Sequence, residues 1–146
     1  MSSFNQPPLT RRLLAELLGT ALLVTVVVGS GIAAQQLSPG NVGMQLLENS
    51  TATVLGLTVL ILLFGPVSGA HFNPVVSLAD WFLGRRSSMG MSLTEVGAYS
   101  AAQVLGAVAG SLFRLLQMGV GFSLLPRLRD AATVFERRQL IAHELR

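Results

Sequence analysis

Four polar residues sit in apolar surroundings where a polar group needs a reason: Glu16, His71, Asn73 and Gln103. Asn73 precedes Pro74, and that pair has the chemistry of a helix start. Asparagine caps free backbone N–H groups, and proline suits the first helical position because its missing N–H costs nothing there. The side-chain oxygen of Asn73 can cap while its nitrogen donates outward, so one residue can start a helix and still serve a passing oxygen. His71 has no second histidine, cysteine or carboxylate at ligand spacing, so it reads as a hydrogen-bonding side chain and no metal is expected. Glu16 lies near the start of an apolar run, four residues before Thr20. It either snorkels to the interface beside Arg11 and Arg12 or faces inward and accepts hydrogen bonds from irregular backbone. Gln103 would be costly in hydrocarbon without a partner, so a bond to a neighbouring helix or loop is expected. No nucleophile–base or acid–base pair is visible, which argues against an enzyme and implies no cofactor.

These side chains need elements to hold them, and composition says which solvent those elements face. Hydrophobic residues make up 51% of the 146 and charged residues 12%, about half the usual charged share of a soluble domain. No charge falls between Leu17 and Ala34, between Asn49 and Ala70, or between Val96 and Phe113. Each window approaches the ~20 residues a helix needs to cross the hydrocarbon core. The chain therefore reads as an all-α membrane protein. A first helix is expected over 11–36, ended by the turn cluster Ser38-Pro39-Gly40-Asn41. A second is expected over 45–64, broken by Gly65-Pro66, and a third over 93–117. Residues 1–10 are polar and carry Pro7-Pro8, which suits a disordered lead-in. The run after Arg11-Arg12 is too long for a cleaved signal and contains Glu16, so it reads as a retained helix.

Between the second and third long helices lies a short apolar stretch, Val75 to Leu83. It cannot span a bilayer, so it forms either a surface helix or a re-entrant half-helix. Gly69 and Ala70 are expected to let the backbone before it run extended and close to its neighbours. Irregular backbone at membrane depth survives only against protein or water, so a glycine-rich loop feeding a capped half-helix suggests a pore lining. In the third long helix Ala98, Ala102, Gly106 and Gly110 recur every four residues, a row that lets helices pack closely. Cysteine is absent, which removes disulfides and thiol chemistry. All ten basic residues are arginine, with no interleaving of aromatic and basic side chains, so no nucleic-acid partner is expected.

Ser68-Gly69-Ala70-His71-Phe72-Asn73-Pro74-Val75 resembles the first Asn-Pro-Ala signature of the aquaporin, or major intrinsic protein (MIP), family, with valine where alanine is usual. Ala15-Glu16-Leu17-Leu18-Gly19-Thr20 resembles the opening of that family's first helix. Tyr99-Ser100-Ala101-Ala102-Gln103-Val104-Leu105-Gly106 resembles its third. The resemblance covers about residues 11–113 and implies the N-terminal half of the fold: three transmembrane helices plus one re-entrant half-helix, the first repeat. It implies a passive channel for water and small neutral solutes, such as glycerol or an uncharged metalloid like arsenite. On that likeness Asn73 is the pore donor, with Pro74 and Val75 completing the signature. The carbonyls of Gly69, Ala70 and His71 would line the pore as acceptors, and Glu16 and Gln103 would brace the loop from behind. Counting back about twenty positions from Asn73 puts the family's filter residue at Thr53, where strict water channels usually carry a bulky aromatic. A threonine implies a wider filter.

The resemblance also implies what is missing. The family has two half-helices, whereas no second Asn-Pro occurs in this chain. A complementary half or a homo-oligomer is expected as a partner, beside the lipid bilayer and the solute. Arg11, Arg12, Arg85 and Arg86 fall on one side of a three-span topology, which places the N-terminus in the cytoplasm of a cell membrane. Residues 114–146, with Arg114, Arg127, Arg129, Arg137, Arg138 and Arg146, are set apart as a basic tail that does not match the family. In that topology the tail falls outside, against the charge rule. Truncation or a shifted reading frame is the expectation, with a re-entering tail and pairing of inverted copies as alternatives. The rival function is a non-conducting membrane fragment or interaction subunit.

Overall fold

The computed structural model describes residues 7–85 and 90–117. The expected lead-in before Pro7, Arg86, and the basic tail beyond Gln117 lie outside the described residues. Among the described residues four helices follow one another: α1 (Leu9–Leu37), α2 (Val42–Ser68), α3 (Pro74–Gly84) and α4 (Leu93–Gln117). Three of them, α1, α2 and α4, are long and apolar enough to cross a membrane. The chain divides into two units, Met1–Phe113 and Arg114–Arg146. Of the second, only the helical turn 114–117 is described, where Arg114 Nη1 donates to Gln117 Oε1 at 3.2 Å.

The side chains are distributed inside out relative to a soluble domain. Glu16 and Ser77 are 0% exposed and Gln103 1%, while Leu62 and Leu83 are each 73% exposed. Burying polar groups and exposing leucine is stable only where the surrounding solvent is lipid. The fold is all-helical, as the charge-free windows imply.

Two local expectations are corrected. Gly65-Pro66 does not break α2, which runs on to Ser68. Glycine before proline has no Cβ to clash with the pyrrolidine ring, so the helical conformation stays open there. Proline also removes only one helical bond, and one more turn completes the helix. Gly69 then ends it with a left-handed φ of +91°, its N–H reaching Gly65 O at 3.0 Å. The second correction concerns the loop. Gly69 and Ala70 do not run extended: Ala70 has φ +53° and Phe72 φ +51°, so the segment coils through the left-handed region. The helices otherwise begin earlier than expected, α1 at Leu9 and α2 at Val42.

Packing fixes where α3 lies. Helices α1 and α4 run parallel with their backbones touching, because a Cβ on Gly106 would meet Leu17 O and one on Gly110 would meet Ala21 O. Arg12 Nη1 meets Glu95 Oε1 at 2.7 Å, so the starts of α1 and α4 share one end of the bundle. Asp80 Oδ2, late in α3, accepts from Met91 N at 2.9 Å at that same end. Ser77 Oγ, earlier in α3, accepts from Gln103 Nε2 at 3.0 Å. Gln103 lies ten residues into α4, about 15 Å along its axis and near half of a ~30 Å hydrocarbon core. Helix α3 therefore starts deep and returns to the end it came from. This is a re-entrant half-helix.

Candidate functional site

The site is the turn from Ser68 to Asn73 and the side chains that shape it. Glu16 comes from α1, one turn past Arg12, and its carboxylate collects four donors. Oε1 accepts from Ser68 Oγ at 2.6 Å and His71 N at 3.0 Å. Oε2 accepts from Phe72 N at 2.7 Å and Gln103 Nε2 at 2.8 Å. Successive backbone N–H groups converging on an anion form the kind of nest that left-handed residues make possible. A non-glycine residue at positive φ costs of order 1–3 kcal/mol. Hydrogen bonds to a charged group are worth ~1.5–3 kcal/mol each, which offsets the strain at Ala70 and Phe72. Of the two positions open to Glu16, the structure has the inward one; it does not snorkel.

Around this centre the remaining polar groups interlock. Ser77 Oγ lies 3.0 Å from His71 Nδ1, which ties the loop histidine to α3. Tyr99, 0% exposed, donates its hydroxyl to Ser68 O at 2.9 Å and receives Arg12 Nε at 2.8 Å. The Phe72 ring lies over Gly19, where any Cβ would collide with it, and meets Phe64 edge-on at 6.0 Å. Glycine at position 19 is thus required by close approach. Ser92 and Glu95 cap the start of α4 reciprocally, Glu95 N donating to Ser92 Oγ at 3.2 Å and Ser92 N to Glu95 Oε2 at 2.8 Å.

Asn73 has extended backbone (φ −153°, ψ 129°), and its Oδ1 accepts from Val75 N at 2.8 Å with Pro74 in the first turn. No described residue offers an acceptor to Asn73 Nδ2, and the residue is exposed. The positive end of the α3 dipole lies at the same point. The carbonyls of Gly69, Ala70 and His71 accept no hydrogen bond from the described residues, and Val75 is 70% exposed. A cavity of about 300 Å³ opens at the Arg12 end and is lined by Ser68, Gly69, His71, Asp80, Arg12 and Glu95 among others. Loop polar groups thus border open space. Thr53 stands apart from this cluster, half-buried on α2. Among the described residues no group of His, Cys, Asp and Glu could hold a metal ion.

Sequence reasoning missed Ser77 and Tyr99 as parts of the site. A hydroxyl inside a transmembrane helix usually bonds its own backbone and so gives no signal. The clue for Ser77 was its place four residues after Asn73, on the same side of a short helix.

The profile of the family described as Major intrinsic protein matches residues 3–139. The chain belongs to this family. The match runs past residue 113, so it includes much of the stretch set apart above as a basic tail. As a major intrinsic protein with three apolar spans, the chain is an integral membrane protein. It is 48% identical over 103 residues to aquaglyceroporin AqpS of Rhizobium meliloti (strain 1021), covering 70% of this chain and 42% of that protein. It is 38% identical over 111 residues to the glycerol uptake facilitator protein of Pseudomonas aeruginosa, covering 73% of this chain and 39% of that one. With aquaporin Z of Photorhabdus laumondii it shares 38% identity over 119 residues, 77% of this chain and 46% of the relative. The chain spans less than half the length of each of these relatives.

Proposed function

We propose that this major intrinsic protein supplies half of a passive channel for water and small neutral solutes, glycerol among them. One observation carries the reading: Asn73 spends its amide oxygen on capping α3 and keeps its amide nitrogen free, at an exposed helix start set at mid-depth. A solute oxygen arriving there finds a fixed donor beside the positive end of a helix dipole. That field repels cations, as oriented half-helices do in aquaporin-type pores. Neutral molecules pass by trading one hydrogen bond for the next. The unoccupied carbonyls of Gly69, Ala70 and His71 are suited to act as acceptors, with Glu16 and Gln103 holding the loop that presents them. Thr53 is the filter position, and its small side chain suits a solute wider than water. The names of the relatives, an aquaglyceroporin and a glycerol uptake facilitator, point to the same solute class.

The passage is closed by a second half in a cell membrane: a complementary chain, with the N-terminus of this one in the cytoplasm, or an inverted copy. Stopped-flow swelling of proteoliposomes tests the reading. Water and glycerol permeability above that of empty vesicles, abolished in Asn73→Trp, is the expected result. Permeability equal to that of empty vesicles would leave a non-conducting fragment or interaction subunit.

A further inference from the structure

We propose that Asn49 is a second solute-facing amide donor, set on α2 away from the Arg12 end, and that it selects for hydroxylated neutral solutes. The inference rests on the channel reading above. Asn49 Oδ1 lies 2.7 Å from Ser30 Oγ on α1. The Ser30 hydroxyl also lies 2.7 Å from Val26 O and 3.3 Å from Val27 O. Those carbonyls already accept backbone N–H groups inside α1, so the hydroxyl proton can go to the amide without leaving an acceptor unpaired. With Oδ1 anchored, Nδ2 is turned away from Ser30. No described residue offers it an acceptor, and it is not among the buried polar atoms left without a partner, so it meets open space. Asn73 uses the same device: its Oδ1 is fixed by Val75 N at 2.8 Å and its nitrogen is left free.

Position supports the role. Asn49 precedes Thr53 by one turn, about 6 Å along the helix axis. Gln45, Asn49 and Thr53 recur every four residues on one face of α2, and all three are half-buried. Gln45 Nε2 is committed to Ser38 O at 2.8 Å, which leaves Asn49 and Thr53 to serve a solute. Polar groups in transmembrane helices face either the bundle or a wet cavity. A pure clamp between α1 and α2 would need only the anchored oxygen. The free nitrogen is what a passing hydroxyl can use. Water replaces a lost donor by reorienting, whereas a polyol must exchange several hydrogen bonds at once, so its passage depends more on a fixed donor.

The test measures water and glycerol permeability of the full chain in the same proteoliposomes, for wild type, Asn49→Leu and Ser30→Ala. The expected result is a glycerol-to-water ratio about three- to tenfold lower in Asn49→Leu, the range one hydrogen bond is worth. Ser30→Ala, which keeps the amide and loses its anchor, is expected to lower the ratio by less. An unchanged ratio in both variants, or equal loss of both permeabilities, overturns the donor role and leaves the clamp. Should Asn49→Leu fail to assemble, the ratio in Ser30→Ala decides alone. A wild type that conducts nothing sinks the channel reading itself, and the donor role with it, which is a distinct outcome from a conducting wild type with unaltered selectivity.

Discussion

Glu16 sets the shape of the loop because four donors meet on one carboxylate. Glutamine has almost the same volume but only one acceptor oxygen, and its NH₂ would face N–H groups that need acceptors. Each buried donor left unpaired costs ~1–3 kcal/mol, so Glu16→Gln should destabilise the chain by about 2–4 kcal/mol. Thermal unfolding in detergent micelles would show this as a lowered midpoint; an unchanged midpoint would mean the loop keeps its shape without the carboxylate. Gln103→Leu removes one donor to Glu16 and one to Ser77, and a smaller loss of about 1–2 kcal/mol is expected in the same measurement. At this scale the sequence was legible where a polar residue had no business in lipid: Glu16 and Gln103 stood out for that reason. Ser68, Ser77 and Tyr99 did not, since hydroxyls are common in membrane helices. Their place in the network depends on partners on other helices that local sequence does not encode.

Helices were easier to read than the turn between them. The expected bounds of α4, 93–117, hold, because length and hydropathy decide whether a helix spans lipid. The Gly-Pro pair misled at the end of α2, where glycine relieved the clash that usually stops a helix before proline. The coil at Ala70 and Phe72 was beyond local reasoning: it is held by Glu16, which accepts from His71 N and Phe72 N, 55 and 56 residues away in sequence. Helix contact, by contrast, was written in the spacing of small residues. A Cβ on Gly106 would meet the backbone of Leu17, an atom that cannot swing aside. Gly106→Leu should therefore force α1 and α4 apart, at a cost of more than about 2 kcal/mol. Gly97, on the same helix, has nothing within 4 Å of an added Cβ. Gly97→Ala should leave stability unchanged or raise it by up to ~1 kcal/mol through helix propensity. Equal losses in the two variants, measured by thermal unfolding, would refute backbone contact as the reason for the glycine row.

For the molecule as a whole, orientation is the property that follows from where the charges lie. The start of α1, the end of α3 and the start of α4 share one end of the bundle, and Arg11, Arg12 and Arg85 lie there. The opposite turn, between α1 and α2, carries Ser38, Pro39, Gly40 and Asn41 and no arginine. By the positive-inside rule the arginine end should face the cytoplasm in every copy. Absence of cysteine makes this simple to test, since a single introduced thiol is the only one to label. Pro39→Cys and Thr94→Cys place that thiol at exposed positions on opposite ends. In intact cells a membrane-impermeant maleimide should label Pro39→Cys, and Thr94→Cys only after permeabilisation. Comparable labelling of both without permeabilisation would mean insertion in two orientations. The passage would then be closed by an inverted second copy rather than by a separate complementary half, because only opposed orientations bring two half-helix starts together at mid-depth.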